Sequence, residues 1–217
     1  MTYFRSNTDD EAFWHAVYTH DEYKVPTFAT TDVVLDLGAS IGAFSHRAHD
    51  QGSRQIYAFE ACPENFAVAQ KNVGHLDGVH LYHQALVGDR QPPTLPFPVG
   101  NNSFFIQEHA TVEVPTITLE AIVRAVGEVR YLKIDIEGSE WDVLYAMPDD
   151  MWSQIHEIVG EYHQPSQTYW GLVQNPRRPP FEYRSLQQYL QDRGYFTRFS
   201  EPGPKNVMAG AFHARRA

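Results

Sequence analysis

Apolar strand-like runs alternate with helix-like segments along this chain, and the first run, Val33 to Leu37 (VVLDL), stops at a glycine. Ala43 to Asp50 then has the pattern of a helix, Gln55 to Phe59 that of a second strand, and Pro63 opens another helix. Uniformly apolar strands separated by helices are typical of a parallel sheet covered by helices on both faces. Ligands of such sheets bind beyond the carboxyl ends of the strands, so function is sought in the residues that follow each strand.

Later segments continue this alternation. Further strands are predicted over Val79 to Leu86, Val129 to Ile136, Ile155 to Glu161 and Val207 to His213, and helices up to Met147 and over Arg184 to Arg193. Ser139 and Asp142 have the spacing of a capping box at the start of the helix that ends at Met147.

We expect one domain over residues 1–217, because its length is close to that of a typical single domain. Within it, residues 1–30 form a helical cap or lid, 31–161 the cofactor-binding core, and 162–217 the rest of the sheet with acceptor-site loops. In the first part, apolar positions 13, 14, 17 and 18 fit one helical face. That helix either packs on the sheet or closes over the ligands as a lid.

Composition excludes several classes of protein. Seventeen Lys+Arg against 27 Asp+Glu give a net charge of −10, which argues against a nucleic-acid partner. One cysteine, Cys62, excludes a disulfide framework and a multi-cysteine zinc site. The sequence has no apolar run near the ~20 residues of a membrane span, and its N-terminal segment is too charged for a signal peptide. We therefore expect a soluble cytoplasmic protein with no membrane partner.

A glycine turn follows the first strand, in the segment Asp36 to Gly42 (DLGASIG). The dinucleotide motif G-x-G-x-x-G is absent, because its second glycine falls on Ser40 and its third on Ala43. The second glycine admits a pyrophosphate, which S-adenosylmethionine lacks. The methionine carboxylate of that cofactor could lie at the turn and its ammonium group could donate to Asp36. The alternative is an ordinary glycine turn; the P-loop pattern is also absent.

An acidic residue ends the second strand. Glu60 lies 24 positions after Asp36, close to the ~20-residue offset at which an acid binds ribose hydroxyls. The alternative is a surface glutamate at a strand end. Cys62, next to it at a helix start, is interpreted as a small packed residue.

The fourth and fifth strands carry charged residues within apolar sequence. Lys133, Asp135 and Glu137 share one face by the two-residue period, and so do Glu161 and His163. Asp135, Glu161 and His163 could converge on a substrate hydroxyl, with His163 as base or hydrogen-bond partner, or hold a divalent metal. Lys133 could act in catalysis or form a structural ion pair with Asp135.

Three segments together resemble the FkbM family of S-adenosylmethionine-dependent methyltransferases. They are Asp36 to Gly42 (DLGASIG), Tyr57 to Phe66 (YAFEACPENF) and Leu132 to Glu140 (LKIDIEGSE). The resemblance implies a Rossmann-like class I methyltransferase fold, with a seven-stranded, mostly parallel sheet and helices on both faces. It also implies methylation, most often of oxygen, on small molecules such as natural products and sugars.

Carried over by position, the resemblance implies specific roles. Asp36, Gly38, Ala39 and Gly42 would surround the methionine part, Glu60 would bind ribose, and Asp135 would face the transferring methyl group. The full set of expected cofactor-binding residues is Asp36, Gly38, Ala39, Ser40, Gly42, Glu60, Ala61, Asn65, Ala85 and Asp135. The expected catalytic residues are Asp135, His163, Glu161 and Lys133.

Three other functions stay open on sequence alone: an N-methyltransferase, a catalytically silent cofactor-binding scaffold, and a nucleotide-dependent oxidoreductase. The missing middle glycine disfavours the oxidoreductase. Two stretches without a counterpart in the family, Gln91 to Val114 and Tyr162 to Pro180, are expected to shape the acceptor pocket.

Overall fold

The computed structural model of the protein describes residues 2–88, 92–98, 111–163, 182–201 and 209–216. Two compact units divide the chain: Met1–Leu86 with Gln91–Ile117, and Val87–Arg90 with Thr118–Ala217. Residues 99–110 and 164–180, which fall in the two stretches expected to shape the acceptor pocket, lie outside the described residues. Within the described ranges, no helix combines the length and apolar character needed to cross a membrane.

Three parallel strands form the centre of the first unit. In chain order, the elements up to Thr118 are α1 (Asp10–Trp14), β1 (Val33–Leu37), α2 (Ala43–Asp50), β2 (Gln55–Glu60), α3 (Pro63–Val73), β3 (Val79–His83), β4 (Ala85–Val87), β5 (Thr94–Pro98) and β6 (Thr111–Thr118). The strands lie in the order β3-β2-β1, with Val34 beside Ile56 and Ile56 beside Val79. Val34 and Leu35 have no exposed surface, as expected for a strand covered on both faces.

The N-terminal segment packs against α2. A π-helical turn over His15–Thr19 continues α1, and Trp14 and Val17 are buried. The rings of Trp14 and His46 pack edge to face, with their centroids 5.4 Å apart. The Tyr18 hydroxyl donates to Asp50 Oδ2 at 2.5 Å. These contacts hold the segment against α2, and its packing on the sheet and its role as a lid both stay predictions.

The prediction of a single strand over Val79 to Leu86 is wrong, because the structure has two strands in this segment. β3 pairs with β2 and its residues alternate between half-buried and exposed, whereas β4 is buried throughout and belongs to a separate three-stranded sheet of order β4-β6-β5. Only one residue, Gln84, separates the two strands, so the sequence gives no turn signal between them.

The second unit contains four strands. Its elements are α4 (Leu119–Val126), β7 (Tyr131–Ile134), α5 (Glu140–Tyr145), a 3-10 helix (Asp149–Gln154), β8 (Glu157–His163), α6 (Tyr183–Gln191), β9 (Tyr195–Phe199) and β10 (Ala209–Arg216). Its strands lie in the order β7-β8-β10-β9, with β7 and β8 parallel and β10 antiparallel to both neighbours. The expected seven-stranded, mostly parallel α/β fold is confirmed.

The strand predicted over Val129 to Ile136 is shorter than expected. β7 ends at Ile134, and Glu137 has a φ of 57°, so the alternation of side chains does not extend through Asp135 to Glu137. The prediction that Lys133, Asp135 and Glu137 share one strand face is therefore wrong. The chain leaves the strand early because the residues after it turn back to bond Glu140, as described below.

Candidate active site

The glycine turn after β1 folds back onto the end of β2. The backbone N–H groups of Gly38 and Ala39 both donate to the carbonyl oxygen of Phe59, at 3.0 and 2.9 Å. Gly38 and Gly42 have φ values of 83° and 90°, which only glycine adopts without strain. The turn is therefore fixed by the backbone of the neighbouring strand, directly before α2 begins.

Gly42 also permits a close approach between α2 and α3. A Cβ atom at this position would lie 3.0 Å from Cγ1 of Val73 in α3. Both its left-handed conformation and its lack of a side chain are therefore required by the local structure.

Glu60 joins the two loops that follow β1 and β2. Its side chain is almost buried, and Oε2 accepts from the Ser40 N–H at 2.7 Å while Oε1 accepts from the Cys62 N–H at 2.8 Å. Hydrogen bonds to a carboxylate are among the stronger ones in proteins. Since each carboxylate oxygen has two acceptor sites, this arrangement is compatible with ribose binding, which stays a prediction.

Asp36 lies inside the first unit. Its side chain has no exposed surface, and Oδ2 accepts from the Ser45 hydroxyl of α2 at 2.6 Å. Asp36 thus connects β1 to the helix that follows the glycine turn. Its predicted contact with the cofactor ammonium group is untested.

The residues expected near adenosine are tied to other parts of the first unit. Asn65 Oδ1 accepts from Arg5 Nη2 at 2.8 Å, and Arg5 in turn pairs with Asp10. The Ala61 carbonyl oxygen lies 3.1 Å from Nε2 of His83. Ala85 is buried at the start of β4. Their predicted contacts with the cofactor are likewise untested.

Cys62 is a protonated thiol in this setting. Burial raises its pKa to about 11, and its Sγ lies 3.4 Å from Oε2 of Glu64. A thiol in this state is a poor nucleophile at neutral pH, which agrees with the prediction that Cys62 is a packed residue.

In the second unit, a buried glutamate organises the loop after β7. Glu140 has no exposed surface; its Oε1 accepts from the N–H of Ile136 at 2.9 Å and its Oε2 from the N–H of Gly138 at 3.0 Å. Glu140 Oε1 also lies 3.0 Å from Nδ1 of His163, at the end of β8. The predicted capping box is wrong, because Ser139 makes no side-chain hydrogen bond at the start of α5.

His163 is surrounded by carboxylates. Its Nε2 lies 3.5 Å from Oε2 of Glu137 and 3.7 Å from Oε2 of Glu161. Burial alone would lower the pKa of His163, but the hydrogen bond to Glu140 and the nearby negative charges raise it to about 9. The imidazole is therefore protonated at neutral pH. Burial raises the pKa of Glu137, and the charge of Asp135 adds to this effect.

The structure brings together most of the residues predicted for catalysis. Asp135, His163 and Glu161 all belong to this part of the second unit, and Lys133 is buried in β7 two residues before Asp135. Sequence reasoning missed Glu140, although it stands in the segment that carries the family resemblance. The signal was a glutamate in the first turn of a short helix, which ordinarily indicates only a favourable helix start.

Asp135, Glu140 and His163 each offer one atom that could bind a metal ion, and these three atoms lie within 4.8 Å of one another. This set differs from the predicted metal-binding set, in which Glu161 took the place of Glu140. Since the Glu140 oxygens already accept from two backbone N–H groups and face a histidine nitrogen, hydrogen bonding accounts for their positions without a metal ion.

A glycine turn after one strand and an acid at the end of the adjacent parallel strand are typical of the Rossmann-like class of α/β folds. The sequence profile described as the methyltransferase FkbM domain matches residues 36–197. The chain therefore belongs to the FkbM family of methyltransferases.

Curated relatives agree with this assignment. The chain is 29% identical over 172 residues to Methyltransferase 1 of Beauveria bassiana (strain ARSEF 2860), covering 64% of this chain and 68% of that protein. It is 26% identical over 170 residues to the 31-O-demethyl-FK506 methyltransferase FkbM of Streptomyces tacrolimicus, covering 61% and 65%. The match to the second protein thus spans slightly less than two thirds of its length.

Solved structures share the fold at low sequence identity. The methyltransferase FkbM of Methylobacillus flagellatus KT superposes with a TM-score of 0.55 at 13% identity, covering 93% of this chain and 47% of that one. An rRNA methylase of Streptococcus thermophilus gives a TM-score of 0.54 at 8% identity, covering 92% and 95%. These likenesses establish the methyltransferase fold.

Proposed function

We propose that this protein transfers the methyl group of S-adenosylmethionine to a hydroxyl group of a small molecule. The observation that carries the proposal is the pair of strand-end loops joined by Glu60, in a chain of the FkbM family. Ser40 replaces the glycine that admits a pyrophosphate, so the turn favours a nucleoside ligand without one. Glu60 would accept from the ribose hydroxyls, and the turn would receive the methionine carboxylate.

The relative from Streptomyces tacrolimicus supports an oxygen acceptor. It is named as a methyltransferase of 31-O-demethyl-FK506, a compound that lacks a methyl group on an oxygen. A hydroxyl acceptor of this kind must lose a proton as the new carbon–oxygen bond forms, so the site needs a nearby base.

Bound S-adenosylmethionine would supply a methyl group activated by its sulfonium charge. We assign to Asp135 the task of orienting the acceptor hydroxyl and taking its proton, and a positioned base typically adds ~10²–10⁴-fold in rate. His163 is protonated at neutral pH, because its pKa is raised to about 9, so we assign it a hydrogen-bonding role toward the acceptor. Glu161 assists by balancing that charge, and buried Lys133 adds a positive charge within β7.

An amine acceptor is the second candidate. Asp135, Glu137, Glu140 and Glu161 outnumber the positive charges of His163 and Lys133. An excess of carboxylates can bind a cationic amine and take the proton that the nitrogen must lose before it accepts the methyl group.

A product assay tests the proposal. The protein is incubated with S-adenosylmethionine and a panel of hydroxyl and amine compounds, and S-adenosylhomocysteine release is measured. Mass spectrometry and NMR then locate the added methyl group. Oxygen methylation is expected; methylation of nitrogen alone would establish the second candidate. Cofactor binding without any product across the panel would favour the catalytically silent scaffold.

A further inference from the structure

Glu140 makes more polar contacts than a helix-start glutamate requires. It is fully buried, accepts from the backbone N–H groups of Ile136 and Gly138, and faces Nδ1 of His163 at 3.0 Å. A carboxylate buried without partners would be costly, and here its partners come from two separate segments of the second unit.

On the loop side, Glu140 fixes the backbone that follows Asp135. Glu137 and Gly138 have positive φ values of 57° and 110°. A positive φ is uncommon for a residue other than glycine and persists where surrounding contacts enforce it. The bonds from Ile136 and Gly138 to Glu140 are contacts of that kind.

On the strand side, Glu140 fixes the His163 ring. An ionised carboxylate only accepts hydrogen bonds, so Nδ1 carries the proton in this pair and the Nε2 edge is directed toward Glu137 and Glu161. The backbone of His163 is held as well, because its carbonyl oxygen accepts from Trp141 Nε1 at 2.6 Å. Both the ring and the backbone of His163 therefore have one preferred orientation.

We propose that Glu140 is a positioning residue for methyl transfer, which holds the Asp135 loop and the His163 ring in the arrangement that receives the acceptor. This inference rests on the proposed function and deepens it. Carboxylates that orient a functional histidine through its second ring nitrogen are known to matter at metal sites, where their loss costs about 10–100-fold. A similar loss of turnover is expected here.

The test compares Glu140→Gln, His163→Gln and the double variant, with an acceptor that the wild-type protein methylates. Glu140→Gln should lower kcat by about 10-fold or more and leave the dissociation constant of S-adenosylhomocysteine within about twofold. Because Glu140 acts partly through His163 and partly through the Asp135 loop, the loss of kcat in the double variant should be smaller than the product of the two single losses. Multiplicative losses in the double variant would overturn the proposal.

The matched control is Glu157→Gln. Glu157 is also buried, lies at the opposite end of the same strand, and faces Nε2 of His213 at 2.7 Å. The Glu157→Gln variant should be less stable than the wild-type protein but should keep its kcat. A kcat in Glu140→Gln no lower than in this control would show that Glu140 is only structural.

If the Glu140→Gln variant does not fold, the His163→Gln variant alone still tests the proposal. Glutamine keeps an N–H donor near the Nε2 position but cannot also donate from the Nδ1 position to Glu140. Turnover should fall about 10-fold or more, and wild-type turnover in this folded variant would overturn the proposal. Failure of the proposed function gives a different result, because the wild-type protein would then transfer no methyl group to any acceptor.

Discussion

Replacing Glu60 with glutamine should lower the stability of the protein, because Glu60 joins two loops, and should weaken the binding of the cofactor. The carboxylate makes two hydrogen bonds to backbone N–H groups, at 2.7 Å to Ser40 and 2.8 Å to Cys62. A glutamine oxygen can still accept one of them, but its amide nitrogen cannot accept the other. Losing one hydrogen bond to a charged group costs about 1.5–3 kcal/mol, which corresponds to a fall in Tm of roughly 3–12 °C for a chain of this size.

The same substitution removes the charged acceptor for the ribose hydroxyls. A loss of about 1–3 kcal/mol there weakens S-adenosylhomocysteine binding by roughly 5- to 150-fold. Isothermal titration calorimetry on the folded variant measures the affinity, and scanning calorimetry measures Tm. Glu11→Gln is the control, since that side chain is 73% exposed and should leave both quantities unchanged. An unchanged dissociation constant in folded Glu60→Gln would refute the ribose assignment.

Three further predictions follow from the same structure. Asp135→Asn should keep cofactor affinity and cut turnover at least tenfold, as a positioned base requires; steady-state kinetics showing wild-type turnover would remove Asp135 from the mechanism. Gly42→Ala should destabilise the fold by about 2 kcal/mol in urea denaturation, because φ is +90° and the new Cβ would lie 3.0 Å from Val73 Cγ1; equal stability would contradict this. The raised pKa of His163, about 9, contributes stability below its unfolded pKa of about 6.5, and this contribution is lost as pH rises through about 9. The stability difference between wild type and His163→Gln should therefore shrink between about pH 6 and pH 10, and a constant difference would count against the shift.

Local signals in the sequence were sufficient to predict the bounds of the first strand and of the helix that follows its glycine turn. The observed bounds of β1 and α2 agree with the predicted segments Val33 to Leu37 and Ala43 to Asp50. Their ends are determined by nearby glycines and by an uninterrupted apolar run, which are short-range features. The family resemblance then implied the seven-stranded, mostly parallel sheet.

Contacts between distant segments could not be read from the sequence in the same way. Nothing in a linear pattern shows that Glu60 bonds the backbone of Ser40, or that Glu140 meets His163 from 23 positions away. Strand β9 (Tyr195–Phe199) was also missed. It lies at the edge of the sheet and its residues alternate in exposure, so it lacks the continuous apolar run of the buried strands.

The division of roles in the second unit also depended on three-dimensional information. Sequence spacing left His163 open as a base or as a hydrogen-bond partner. The carboxylates around it raise its pKa to about 9, which favours the hydrogen-bonding role and leaves Asp135 as the proposed base.

Calorimetric titration with S-adenosylmethionine and S-adenosylhomocysteine, with NAD and ATP as controls, tests the central claim most directly. The proposed cofactor site predicts dissociation constants in the micromolar range or below for the two sulfur compounds, and no binding of NAD or ATP. Clear binding of NAD without binding of either sulfur compound would contradict the proposed methyl transfer and leave the fold as the established result.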